Sequence, residues 1–355
     1  MKNDAKSSGL YEFASKNKML THVTLELTTN CNWRCKHCFI EEYTANNFLN
    51  RDILENVFSQ LRELGVINIL LTGGEIFMRP DICEIIKSAR EHFFDVALFT
   101  NSSLMSEEQI KEISEYGISL VSCTIFSLDE KIHDKFSQKE GSLKKVLTNL
   151  KLLKKYNIPV EVKHIITIEN PDEYLKIKVF CDRNSFHFLG TTSIFPRRSN
   201  NNDNQKLVVD EDYLRSNIGC IDMLRNFSQF DINPEHYVCN ATRYSLFIQA
   251  NGNISPCSML CDTIGNVFLD KIEDVWKYNK YLAYLQELKY KDLNNCCNCQ
   301  NLKLCNRCSG VAKQESGSIL GCCSLEKKIA TIRTDLRDKY EIYSKEAQDV
   351  NYVLC

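Results

Sequence analysis

Cys31, Cys35 and Cys38 fall within eight residues of one another in the stretch TTNCNWRCKHCF, residues 28–39. The spacing, C-x3-C-x2-C, offers three thiolates, and thiolates are ligands for zinc or for iron–sulfur clusters. A closed structural zinc site needs a fourth Cys or His. His37 is adjacent to Cys38 and badly placed to chelate with it, which leaves only a more distant ligand for zinc. Three thiolates suit a 4Fe–4S cluster with one iron left open, because each of the other three irons takes one sulfur.

A second concentration lies downstream, where eleven of the 18 cysteines fall between positions 220 and 323. It reads Cys239-x12-Gly252-x4-Cys257, then Cys296-x2-Cys299-x5-Cys305-x2-Cys308, then Cys322-Cys323. Paired C-x2-C units fit tetrahedral zinc as well as an iron–sulfur cluster. Cys83, Cys123 and Cys181 have apolar neighbours and read as small core residues, and Cys355 as part of a frayed terminus. The first twenty residues show no apolar signal-peptide core. The longest apolar runs, such as VINILL at 66–71, fall far short of the ~18 residues that a membrane span needs. A soluble, cytoplasmic protein is expected, and in a reducing cytosol closely spaced cysteines are better read as ligands than as disulfides. With 44 basic and 46 acidic side chains the net charge is −2, which gives no sign of a nucleic-acid or membrane surface.

The elements that must position these thiols alternate. Six strand-like runs, at 22–27, 67–72, 95–100, 119–126, 159–168 and 186–195, are separated by five stretches with apolar residues at helical spacing. That is the pattern of repeated βα units around a parallel sheet, in which the loop after the first strand sits at the C-terminal mouth. At 196–206, PRRSNNNDNQK has no periodicity and marks a linker. Beyond it come a hairpin-like run with an Asn251-Gly252 turn, a helix over 272–289 and a solvated C-terminal helix from 324.

C-x3-C-x-aromatic-C after a first strand, with His37 in the aromatic slot, resembles the radical S-adenosylmethionine (SAM) superfamily. There the open iron is chelated by the amino and carboxylate groups of SAM, and reductive cleavage gives a 5′-deoxyadenosyl radical. LLTGGEIFMRPD resembles the family's GGE motif. By that resemblance Gly73 and Gly74 let the backbone approach the methionyl amino group, and Glu75 accepts from it. The family's usual proline after the glutamate is Ile76 here. Asn101 resembles the ribose-side contact, Thr124 and Ser127 share the position of a family hydroxyl, and Lys163 is either a partner of the cofactor carboxylate or a solvent lysine at the barrel top.

The downstream cysteines resemble the SPASM extension, which usually holds two auxiliary 4Fe–4S clusters and so implies three clusters in all. One would take Cys296, Cys299, Cys305 and either Cys322 or Cys323. The other would take Cys239, Cys257 and Cys308, with Cys220, Cys261 or an open position as the fourth. The resemblance implies a partial (β/α)6 TIM-like barrel over 20–195 after an extension at 1–19, a linker at 196–215, a SPASM domain at 216–323 and a C-terminal helix and tail at 324–355.

It also implies an enzyme taking hydrogen from a ribosomally made peptide, to give a thioether or carbon–carbon cross-link or inversion at an α-carbon. A free thiol such as Cys220 or Cys261 would serve inversion as hydrogen donor. Side-chain oxidation in the manner of a sulfatase maturase, small-metabolite radical chemistry and a non-catalytic zinc or iron–sulfur protein are the alternatives. A flavodoxin- or ferredoxin-type reductant is expected. Because only about twenty residues precede the first strand, so is leader capture by the barrel and SPASM surfaces or by a separate protein.

Overall fold

The computed structural model describes residues 5–43, 49–198, 202–224, 227, 230, 232–293 and 295–340. Cys355 lies outside them. The first part runs α1 (Ala5–Asn17), β1 (His22–Glu26), α2 (Arg51–Glu63), β2 (Asn68–Thr72), α3 (Ile82–Glu91), β3 (Asp95–Phe99), α4 (Glu107–Glu115) and β4 (Leu120–Thr124). It continues with α5 (Glu130–Ser137), α6 (Ser142–Lys155), β5 (Val160–Ile165), α7 (Tyr174–Asn184) and β6 (His187–Thr191). The second part holds α8 (Glu211–Leu224), β7 (Ser245–Ile248), β8 (Asn253–Ser255), β9 (Gly265–Asn266), α9 (Ile272–Tyr278), α10 (Lys280–Glu287), α11 (Ser309–Ser316) and α12 (Ser324–Tyr340).

One nine-stranded sheet, in the order β6-β5-β4-β3-β2-β1-β7-β8-β9, carries the molecule. All neighbours from β6 through β7 are parallel, and β8 and β9 are antiparallel additions. The two-residue alternation of each strand divides the side chains. Val23, Leu25, Ile69, Leu71, Val96 and Leu98 are buried on one face. On the other face lie the half-buried Thr24, Thr72, Phe99, Thr124 and Lys163. Helices cover the first face: α2 buries Leu54, Val57, Phe58 and Leu61, a three-four repeat started by the Asn50 cap on Ile53 N. Four such side chains contribute about 1.5–3 kcal/mol each.

Several elements depart from the sequence expectation. The hairpin around Asn251-Gly252 belongs to the same sheet as the barrel strands, with β7 parallel to β1. The helix expected over 272–289 breaks at Asn279, whose extended backbone ends α9 while its side chain caps α10 by accepting from Leu282 N. α5 is short and amphipathic, started by Asp129 accepting from Lys131 N and Ile132 N, and the sequence reading passed over it.

The expected solvated C-terminal helix is not solvated on all sides. α12 buries Ile329 and Ile332 in a cluster with Leu214, Ile218 and Ile221 of α8. Arg333 makes a buried two-pronged pair with Asp222, at 2.7 and 2.8 Å. Removing one partner of a buried ion pair leaves a desolvated charge and costs about 3–5 kcal/mol. Arg333→Ala should therefore lower the urea midpoint clearly, whereas Lys327→Ala, on the exposed side of α12, should leave it near the parent value.

Candidate active site

The loop following β1 carries Cys31, Cys35 and Cys38, and α5 holds it in shape. Arg34 N and Lys36 N donate to the Ser137 and Phe136 carbonyls at 3.0 and 3.1 Å, and Cys38 N donates to Cys35 O at 3.0 Å. Trp33 packs edge-on to His133, with ring centroids 5.6 Å apart. His37 sits between Phe126 and Phe136, at 5.2 and 5.6 Å, so its ring belongs to the packing of the loop. Burial, with each thiol feeling the others' charge, pushes the Cys31 thiol up to about 11 and the Cys35 thiol higher still. Burial also raises Cys38. Three converging, desolvated thiols fit a strongly cationic group that draws off their protons. Among the described residues no three His, Cys, Asp or Glu side chains are grouped so as to hold one metal ion. A cluster whose irons take one thiolate each requires wider spacing than a single ion does.

The turn after β2 is pressed onto this loop. A Cβ on Gly73 would stand 2.3 Å from Thr28 O, and one on Gly74 would stand 2.3 Å from Asn30 O. The close approach lets Gly74 N donate to Thr28 O and Glu75 N to Asn30 O, both at 2.8 Å. These glycines are thus required by the fit to the cysteine loop, a reason the motif alone did not reveal. The fully buried Glu75 carboxylate accepts from Phe77 N at 2.9 Å, Thr100 Oγ1 at 2.6 Å and Asn101 N at 2.6 Å. It staples the ends of β2 and β3 together. Asn101 Nδ2 donates to Asn32 Oδ1 at 2.8 Å and lies 4.0 Å from Cys31 Sγ, which places this side chain beside the thiols.

Of the two hydroxyls, Thr124 stands half-buried at the C-terminal end of β4, opposite Lys163 in register. Ser127 is fully buried, donates to Glu173 Oε2 at 2.5 Å and accepts from Asp129 N at 2.8 Å, so its hydroxyl is occupied within the protein. Lys163 Nζ lies 2.9 Å from the centre of the Phe99 ring, and burial lowers its pKa to about 8. The amine is thus largely shielded from solvent, on the same face of the sheet as Thr124.

The downstream thiols form two groups. Cys257 feels Cys239 and Cys308, and burial raises the Cys308 thiol, an effect that the Val311 and Gly310 backbone N–H groups at the start of α11 offset only in part. Cys296 feels Cys322 and Cys299, and Cys305 feels Cys323, Cys296 and Cys322. The buried Cys323 thiol donates to Cys308 O at 3.1 Å and accepts from Cys308 N at 3.4 Å. The Cys322 thiol in turn donates to Cys323 O at 3.9 Å, so both cysteines of the pair stand beside the 296–305 group. Cys220 is disulfide-bonded, which corrects its expected role as a free thiol. Cys261 is free and half-buried, and its nearest charged neighbours are Arg198, Glu26 and Asp262.

The Arg198 contact was not foreseen. Arg198, inside the stretch read as a linker, donates through Nη1 to Glu26 Oε2 at 3.1 Å, and its Nη2 stands 2.9 Å from Oε1. Its guanidinium lies over Phe39 and Phe247 and its charge is felt by both Cys38 and Cys261. The only sequence signal was an arginine pair in an otherwise neutral run. Two outcomes check this geometry. Gly74→Ala, which forces a methyl into backbone, should lower the melting temperature by several degrees (about 1–3 kcal/mol); Gly9→Ala, with open space around it, should not. Acylation of the Lys163 amine followed by mass spectrometry should titrate at about pH 8, while surface lysines follow the ordinary ~10.4.

Residues 25–177 match the Radical SAM superfamily model and residues 239–309 match that of the SPASM iron–sulfur cluster-binding domain. The chain is 25% identical over 288 residues to the antilisterial bacteriocin subtilosin biosynthesis protein AlbA of Bacillus subtilis, covering 76% of this chain and 61% of that protein. It therefore spans about three fifths of this relative's length. An AdoMet-dependent heme synthase of Oleidesulfovibrio alaskensis is 21% identical over 327 residues, covering 83% of this chain and 84% of the relative. The crystal structure of Streptococcus suis SuiB bound to precursor peptide SuiA superposes with a TM-score of 0.67 at 17% identity, covering 91% of this chain and 80% of that one. Among the described residues no helix is long and apolar enough to cross a membrane. The three-thiol loop at the mouth of a parallel sheet, the GGE turn seated on it and the matches to both family models make this chain a member of the radical SAM superfamily with a SPASM domain.

Proposed function

We propose that this protein is a radical SAM enzyme that takes hydrogen from a ribosomally made peptide. The observation that carries the reading is the placement of Cys31, Cys35 and Cys38, with the 73–75 turn and Asn101 against them, above a concave face lined by Thr24, Thr124 and Lys163. When bound, an iron–sulfur cluster and SAM supply a 5′-deoxyadenosyl radical at that mouth. The protein's own part is to seat and shield: the loop holds the thiols, Asn101 and Thr124 offer hydrogen bonds, and Lys163 offers positive charge to a carboxylate. A peptide is favoured as substrate because AlbA is a bacteriocin biosynthesis protein and SuiB binds a precursor peptide.

Three 4Fe–4S clusters are proposed, held by Cys31, Cys35 and Cys38, by Cys239, Cys257 and Cys308, and by Cys296, Cys299, Cys305 and either Cys322 or Cys323. A flavodoxin- or ferredoxin-type protein would supply the electron, and a separate leader-binding protein is a further candidate partner. If the product is an inverted residue, Cys261 is the thiol available as hydrogen donor. The heme synthase match favours small-metabolite chemistry as a second reading.

Cys31→Ala, Cys35→Ala and Cys38→Ala should each abolish reductive release of 5′-deoxyadenosine from SAM; retained release would refute the assignment of the first loop. Co-expression with a candidate precursor peptide, followed by mass spectrometry in light and heavy water, separates the outcomes. Loss of two hydrogens means cross-linking or oxidation, and one solvent deuterium with no other change means inversion. Peptides unaltered in every arm, with turnover of a porphyrin instead, would replace the leading reading by the second.

A further inference from the structure

Cys239, Cys257 and Cys308 repeat the arithmetic of the first loop, three thiols without a fourth. Cys220 is disulfide-bonded, and the Cys261 thiol donates to Ser258 O at 3.1 Å with Arg198, Glu26 and Asp262 as its charged neighbours and none of the three thiols among them. A cavity of about 280 Å³ lies at the foot of the strands, and its walls include Cys257, Ser258, Tyr244, Tyr11, Thr24 and His22.

The sheet register explains why His22 and Cys257 share it. His22 stands opposite Ser245 in the β1–β7 pair. β8 ends at Ser255, opposite Phe247 in the antiparallel β7–β8 pair, and Cys257 follows two residues on, past the paired register. His22, Ser245 and Phe247 share one face of the sheet by parity, and Cys257 closes the same cavity from the β8 side.

Chemistry selects among the cavity's polar side chains. An imidazole offers a nitrogen lone pair at neutral pH, whereas the phenols of Tyr11 and Tyr244 hold their protons until about pH 10 and the hydroxyls of Thr24 and Ser258 beyond that. The His22 ring is also oriented. Its Nε2 lies 3.4 Å from Thr24 Oγ1, and a hydrogen bond from the far nitrogen to an oxygen is how ligating imidazoles are usually fixed. With Nε2–H directed to Thr24, Nδ1 is the nitrogen left for iron.

We propose that His22 is the fourth protein ligand of the iron–sulfur cluster held by Cys239, Cys257 and Cys308. The proposal rests on the iron–sulfur reading of the downstream cysteines, and its test keeps the two apart. The full-length chain carrying Cys31→Ala, Cys35→Ala and Cys38→Ala, which silences the first cluster, would be produced with natural or ¹⁵N-labelled histidine, reconstituted anaerobically with iron and sulfide, reduced and measured by pulsed electron paramagnetic resonance. A strong nitrogen coupling is expected that changes isotope with the histidine label and disappears in His22→Ala. His22→Cys, which restores a fourth thiolate, should keep the iron content of the parent while losing the coupling, and so separates loss of a ligand from loss of folding. Absence of nitrogen coupling in the parent, or coupling that survives His22→Ala, overturns the ligand assignment with the cluster intact. Iron and sulfide no higher than in a Cys239→Ala variant would overturn the cluster reading itself.

Discussion

The contact on which the rest of the structure depends is backbone against backbone, where the turn after β2 meets the loop after β1. Two amide N–H groups, from Gly74 and Glu75, reach carbonyls of Thr28 and Asn30, and they do so only because neither glycine has a side chain to hold the strands apart. That seam fixes where the cysteine loop leaves the sheet. The Glu75 carboxylate then extends the seam to β3 through Thr100 and Asn101. A charge buried this completely is tolerable because three donors surround it. The same donors bring Asn101 to within reach of Cys31. The position of the thiols, the hydrogen-bonding groups beside them and the ends of three strands are therefore one hydrogen-bonded unit, not separate fittings.

Much of this was legible in the chain. The six parallel strands announced themselves because buried strands leave short apolar runs, and five of the intervening helices carried clear three-four spacing. The cysteine spacings were informative because ligand chemistry constrains number as well as type. Asn101 and Thr124 were suggested only by resemblance to the family's motifs, and the structure sets both at strand ends. What the motif could not convey was function at the level of atoms: Gly73 and Gly74 answer to a steric demand inside the protein, and Ser127 is engaged with Glu173.

The parts that were hidden share a physical character. α5 spans only eight residues, too few for periodicity to stand out from noise, yet its end holds the cysteine loop. Arg198 lies in a run with no regular pattern, and its importance comes from Glu26, 172 positions away. α12 has an unremarkable polar composition, and only the facing surface of α8 shows which side is covered. Long-range pairing of this kind leaves almost no mark on local sequence, because each partner alone is an ordinary surface residue. The hairpin on β1 is the largest case: nothing in its composition says that it completes the sheet begun two hundred residues earlier.

That shared sheet has a geometric consequence. With β7 beside β1 and parallel to it, the first cysteine group follows the last residue of β1, and Cys257 of the second shares a cavity wall with its first, His22. β1 is five residues long, and at ~3.3 Å per residue it is a ruler of roughly 16 Å set between the two cysteine groups. A strand cannot stretch, so this ruler is rigid. Any molecule lying along the concave face between the two ends is bounded in length before a single side chain has recognised it.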